Sequence, residues 1–392
     1  MHIIKRVLLV LALLPVLGAA ACTPAMPPEL VAQLADSTIN CGSAGIAVHA
    51  SGDTNNVVNQ WGSDYSNTCA GATVTVTDQP GVANIEFTDS ATAPLVCNAF
   101  LSLPVAIDGA AIATTVGGVD GIIVDAPLLS KILNGAITTW SHPAIAALNP
   151  NLTLPNEAIL LDKSVSKAVA NSIDSWMKHL DPQNWKGIPS DFTVTDNFDT
   201  VNIAPELTTE GGIGLVPFSY LTSAGLQSMA VQVAKGQDPV ATNLNSIYAG
   251  LTQLTMPVSN PPFLPILDPN KKALPADGAT TADAPWQALF PIYEHLCTGG
   301  SETDIRSFAR YSMRTDAQGF LATFNLSALP LDIRGTLLAV VSRGLPSPSM
   351  IAAPSTEPSA PTSTDPVIIP TTEPSVIPSA DPSVAPLPSA SQ

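Results

Sequence analysis

Between residues 38 and 344 short apolar runs alternate with stretches of helical spacing, and this alternation restricts the fold more than any other feature of the chain. "AGIAVHA" (44–50) suits a strand, and "ATVTVTD" (72–78) has the strict period of two of a half-buried one. "NNVVNQWGSDY" (55–65) reads as a helix and "GVANIEF" (81–87) as a short one, while "LPVAIDGAAIAT" (103–114) and "GGVDGIIVD" (117–125) read as strands. A punctuated helix follows. Asp125 is a natural N-cap, Pro127 fits the first turn, Leu128, Leu129, Ile132 and Leu133 form one apolar face, and Asn134-Gly135 ends it. "EAILLD" (157–162) is a further strand. Val165, Val169, Ile173, Trp176, Met177 and Leu180 then recur at helical spacing. "GGIGLVPF" (211–218) is strand-like, and 303–322 is a helix. Strands alternating with helices predict an α/β fold.

The two ends of the chain are of another kind. Residues 1–22 carry Lys5 and Arg6, an apolar run from Val7 to Leu17 and small residues up to Cys22, the pattern of an export signal. Ala19-Ala20-Ala21-Cys22 resembles a lipoprotein processing site, so Cys22 is expected to be acylated, and two acyl chains would hold the protein on the outer face of the cell membrane. Residues 23–37 read as a linker. From 345 to 392 the chain is rich in Pro, Ser, Thr and Ala, which predicts a disordered stalk. The formal charge is −17 with no basic cluster, which argues against nucleic-acid binding, since that depends on Lys and Arg neutralising phosphates. Cys41, Cys69, Cys97 and Cys297 form an even set in an exported chain and suggest two disulfides, in any of three pairings. His49, His142, His179 and His295 show no ligand spacing, and no metal or cofactor is expected.

One joint stands out chemically. "AILLDKSVSKAVANSIDSW" (158–176) passes from a strand into a helix through Lys163, Ser164, Ser166 and Lys167. It could hold an anion, it could be an ordinary cap on Ser166, or Ser164-x-x-Lys167 could be the nucleophile and base of an acyl-enzyme. No Lys-Thr/Ser-Gly strand follows, so no enzyme is predicted. Arg306, Arg310 and Arg314 recur every four residues and are expected on an exposed face, pairing with Glu302 or Asp304.

"LLSKILNGAITTWSHPAIAALNPNLTLPNEAILL" (128–161) closely resembles the phosphate-binding proteins of bacterial ABC importers. "ASGDT" (50–54), "FTDSATAPL" (87–95), "LDPQNW" (180–185), "EGGIGLV" (210–216) and "QGFLATFNLSALP" (318–330) resemble further family segments in the same order. The resemblance implies a type II periplasmic-binding-protein-like fold, two α/β lobes joined by two crossover strands, within a solute-binding domain at 38–344. Lobe one would be about 38–105 and 292–343, and lobe two about 106–291. The ligand would be inorganic phosphate or a related oxyanion, the partners an ABC importer permease and the membrane, and the protein a monomer. Carried over by position, the anion site would comprise Thr54 and Asn55 in the first loop, Gln79 in the second, Thr92 in place of the family's Asp in the third, and Lys163, Ser164, Ser166 and Lys167 in the fourth. Lys163 stands where the family has Arg, and Lys167 and Ala168 where it has Gly and Thr. The alternative is a surface sensor, adhesin or interaction module that has lost phosphate binding.

Overall fold

The computed structural model describes residues 26–50, 53–79, 82–90, 97–196, 205–257, 263–275 and 283–350. The expectations for the signal, for Cys22 and for most of the tail lie outside these residues. The elements that position the site are, in chain order, helix α1 (Pro28–Asp36), strand β1 (Thr38–Ile39), β2 (Gly45–Ala50), α2 (Asp53–Thr68), β3 (Thr73–Val76), β4 (Ile85–Thr88), β5 (Ala99–Thr114), α3 (Ala126–Leu133), β6 (Leu160–Leu161), β7 (Ser164–Ser166), α4 (Lys167–Leu180), β8 (Thr193–Thr195), β9 (Gly212–Pro217), β10 (Leu289–Cys297), α5 (Glu302–Ser312), α6 (Leu331–Val341) and β11 (Ser349–Met350).

The main sheet runs β3-β2-β4-β10-β5-β9-β6. At one end β2 is parallel to β3 and β4. At the other, β9 is parallel to β6. Between them β10 lies antiparallel to both β4 and β5, and β5 antiparallel to β9. β5 is therefore shared: Leu101 faces Leu296 near its start and Thr114 faces Ile213 at its end. Its 16 residues reach roughly 50 Å at the usual strand rise, enough to pass from one lobe into the other. β5 and β10 are the two crossover strands, hydrogen-bonded to each other, and residues 105 and 106 lie within unbroken β5. From Leu103 onward β5 is buried on both faces, which explains why 103–114 reads as a continuous apolar run.

The strand expected over 117–125 is confined to Ile123–Val124, because Gly118 and Gly121 take positive φ in the segment before it, and three further expectations are corrected. Residues 81–87 were expected to be helical, but Ile85–Thr88 form a strand buried at every position between β2 and β10, where tertiary pairing overrides a short helical pattern. The helix expected over 303–322 ends at Ser312, and a short second helix spans Thr315–Gly319. The third concerns residues 23–37. Residues 28–36 are not a linker but α1, which turns Ala32 and Ala35 onto α6. Gly335 makes this possible, since a Cβ there would lie 1.7 Å from the Pro28 carbonyl oxygen. β1 then pairs with β11, bringing the two ends of the described chain side by side.

The arginines expected on an exposed face hold this junction. Arg306 is bonded to Glu302 as anticipated. Arg310 and Arg314, however, are buried. Arg310 donates to the Thr38 carbonyl (3.1 Å) and hydroxyl (2.6 Å). Arg314 donates to the carbonyls of Ala35 (2.8 Å) and Thr38 and grips Asp316 with both nitrogen types. Arg334 forks onto Asp36 at 2.9 and 3.1 Å. Carbonyls left open at the end of α1 thus meet guanidinium donors.

The four cysteines pair as Cys41–Cys69 and Cys97–Cys297. The second links the segment entering β5 to the last residue of β10, bracing the crossover strands at one end.

Candidate functional site

A cavity of about 370 Å³ is lined from three directions. Asp89 and Ser90, just past β4, come from one lobe. Lys167, Ala168, Asn171, Ser172 and Ser175, in the first turns of α4, come from the other, with Asp196 beyond β8. Gln287, Leu289, Phe290, Pro291 and Tyr293 come from the start of crossover strand β10.

Local chemistry fixes the α4 side. The buried Ser166 hydroxyl accepts the Val169 amide at 3.3 Å and so caps the helix. The strand before it is held in register by β8, with Ser164 opposite Thr193 and Ser166 opposite Thr195. Buried Asp162 accepts the Ser164 amide at 2.7 Å; desolvation raises its pKa and the bonds from Ser164 partly offset this. The result is a rigid helix start with Lys167 on its rim and the positive end of the helix dipole beside the cavity.

The opposite wall is pinned by His295. Its Nε2 lies 3.1 Å from the Ser90 carbonyl, which can only accept, so Nε2 carries the proton; Nδ1 then accepts the Ser102 hydroxyl at 2.8 Å. Thr88 Oγ1 lies 2.9 Å from the same Nε2. Burial lowers the His295 pKa to about 4, so the ring is neutral and serves as a brace between β10 and the loop after β4.

The residues inferred from the sequence are only partly brought together. Among the described members of that set, Lys167 alone lines the cavity. Lys163 turns to Asp191 on the surface, and that bond holds the Asp191 carboxyl below its usual range. Ser164 is exposed on β7, ahead of the helix that starts at Lys167. The two are therefore not one helical turn apart, and the geometry of a serine–lysine pair is missing. Thr54 and Asn55 sit in the first turn of α2, where Asn55 accepts from Asn59 at 3.0 Å. Gln79 is exposed. Thr92 lies outside the described residues. Asp89, Ser90, Asn171, Asp196 and Tyr293 line the cavity without having been anticipated. For Asp89 a signal existed: it stands three residues before Thr92 in the very segment that resembles the family's Asp-bearing loop. No group of His, Cys, Asp or Glu that could hold a metal occurs among the described residues.

Two α/β lobes and two crossover strands, with a cavity between helix start and strand end, define a type II two-lobed periplasmic-binding-protein-like fold. The high-affinity periplasmic phosphate-binding protein PfluDING, solved with phosphate bound, has this fold, with a TM-score of 0.52 over 76% of this chain and 93% of that one at 12% identity. In sequence the chain is similar to phosphate-binding protein PstS 3 of Mycobacterium tuberculosis, 29% identical over 154 residues that make up 37% of this chain and 41% of the relative. Phosphate-binding protein PstS 2 of the same organism is 26% identical over 252 residues, 61% of this chain and 65% of the relative. The aligned regions thus span less than two thirds of these relatives. No protein-family model matches the chain. In sequence the chain is thus similar to these PstS proteins over part of its length, and in fold to a periplasmic phosphate-binding protein.

Proposed function

We propose that the protein is an extracytoplasmic receptor that captures phosphate in the cleft and delivers it to an ABC importer. The observation that carries this reading is the opposition of Lys167 and the start of α4 to Asp89 and Ser90 across one cavity. The ammonium and helix start favour an anion. A carboxylate on the far wall favours an anion that still bears a proton, to which it offers an acceptor; a fully ionised oxyanion of the same size would meet repulsion. Asp89 takes the role for which the sequence offered only Thr92. The PstS relatives and the phosphate-bound structural neighbour support the same ligand. Binding would close the lobes about β5 and β10. The protein would turn nothing over and act as a monomer, held at the membrane through acylated Cys22.

Calorimetry on the soluble mature protein tests this. Heat of phosphate binding, with sulfate much weaker, is the expected result; no heat with phosphate, arsenate or sulfate would sink the receptor reading.

A further inference from the structure

We propose that Tyr293 is a ligand-contacting residue of the cleft, its hydroxyl donating a hydrogen bond to an oxygen of the bound oxyanion. Tyr293 lines the cavity from crossover strand β10, and Lys167 lines the same cavity from α4. The residue is 1% exposed, yet its hydroxyl has no hydrogen-bond partner. Buried hydroxyls are almost always bonded, because leaving one unpaired forfeits its hydration with no return. A phenylalanine would fill the same volume without that penalty. The unmet bond therefore points to a partner supplied from outside the fold.

The backbone supports this assignment. The β10–β5 register shifts between Ile292 and Tyr293, where Val105 of β5 is left without a partner, so the ladder is irregular across from Tyr293. Such breaks in a strand ladder concentrate next to binding sites. The ring is stacked 6.0 Å from that of His295, which three polar groups hold in place. Burial raises the phenol pKa, so the hydroxyl remains a donor throughout the physiological range. Its position on a crossover strand couples ligand contact to the segment about which the lobes close.

This inference rests on the oxyanion reading above, and the experiment separates the two. Phosphate affinity and thermal stability in phosphate-free buffer are measured for the wild-type mature chain and for Tyr293→Phe. The expected result is an affinity about tenfold lower in Y293F, as for loss of a bond to a charged group, with a Tm equal to or above that of the wild type. Unchanged affinity overturns the assignment and leaves phosphate capture standing. Lower affinity accompanied by a lower Tm makes the tyrosine a structural residue and also overturns it. If the wild type binds none of phosphate, arsenate or sulfate, assignment and receptor reading fall together. Should Y293F not fold, the near-ultraviolet tyrosine spectrum of the wild type decides; a spectrum unmoved by saturating phosphate rejects the contact.

Discussion

At the junction of α1 with the body of the protein, Arg310, Arg314 and Arg334 are buried, and each is bonded to carbonyls, a hydroxyl or a carboxylate. At the cleft, the cation among the described lining residues is Lys167, on the exposed rim of α4. The contrast extends along the chain: beyond Arg6, every arginine lies between Arg306 and Arg343, so the lobe that carries α4 has none. Guanidinium forks are spent on docking a helix, where fixed geometry matters. The proposed anion cradle would rely on an ammonium, a helix start and neutral donors, which recognise charge without imposing a planar fork. On the crossover strand the Tyr293 hydroxyl and Glu294 Oε1 are both buried and unbonded.

Breaking the junction should have the largest effect. Arg334→Ala leaves Asp36 without its fork and the Met313 carbonyl without a donor. Removing one partner of a largely buried pair costs about 3 kcal/mol or more. Arg334→Lys should recover little of it, because an ammonium cannot span both carboxylate oxygens. Gly335→Ala should be comparably severe, since its Cβ and the Pro28 carbonyl cannot coexist without moving α1. Denaturant unfolding measures both. Phosphate affinity should stay within about twofold of wild type, provided the proteins remain folded. An affinity that fell with stability would mean that junction and cleft are not separate devices.

The crossover strand should respond next, through pH. Burial raises Glu294 to about 8, and a bond from Ser312 opposes the rise only partly. The folded state therefore holds this proton more tightly than the unfolded chain. The group's contribution is complete below the unfolded value of 4.5 and is lost as pH climbs to about 8, beyond which the curve is flat. Glu86, raised to about 7, adds a fall in the lower part of that window. His295, lowered to about 4, works in the opposite sense up to 6.5. The Glu294 effect is thus cleanest between pH 7 and 9. Glu294→Gln should stabilise the protein by about 2 kcal/mol at pH 8.5 and flatten the decline of Tm across that range. A wild-type Tm that rose from pH 7 to 9 would refute this.

Much of the scaffold was legible because it follows from periodicity. α3 appears with the Asp125 cap and apolar face read from the sequence, and α4 with Ser166 at its head. What escaped was set by partners remote in sequence. Residues 81–87 have no strong local preference, and Ile85–Thr88 form a strand because β2 and β10 flank them. α1 looks like linker because its inner face offers little more than Ala32 and Ala35; the complementary shape belongs to Gly335 and the binding groups to arginines some 280 residues away. The same holds at the site. Positional carry-over reaches two of the segments that line the cavity, after β4 and at the start of α4, but of its described side chains only Lys167 lies there; Lys163 faces Asp191, while Asp89 and Tyr293, far apart in sequence, both line the cavity.

The two lysines of the α4 joint allow the finest test of the contrast. Both are exposed, four residues apart, and the sequence treats them alike. The structure does not: Lys167 lines the cavity and Lys163 pairs with Asp191 outside it. Lys167→Ala should therefore weaken phosphate binding by roughly ten- to thirtyfold, the scale of one bond to a charged ligand, with a shallower dependence of affinity on salt. Its Tm should barely move. Lys163→Ala removes an exposed ion pair, for which little change in stability and less than a twofold change in affinity are expected. Calorimetry at two ionic strengths distinguishes them. Equal losses of affinity would place the ligand nearer β7 than the cavity described above. A larger loss from Lys163 would restore it to the position of the family's arginine, with Asp191 then acting as the partner it leaves when the anion arrives.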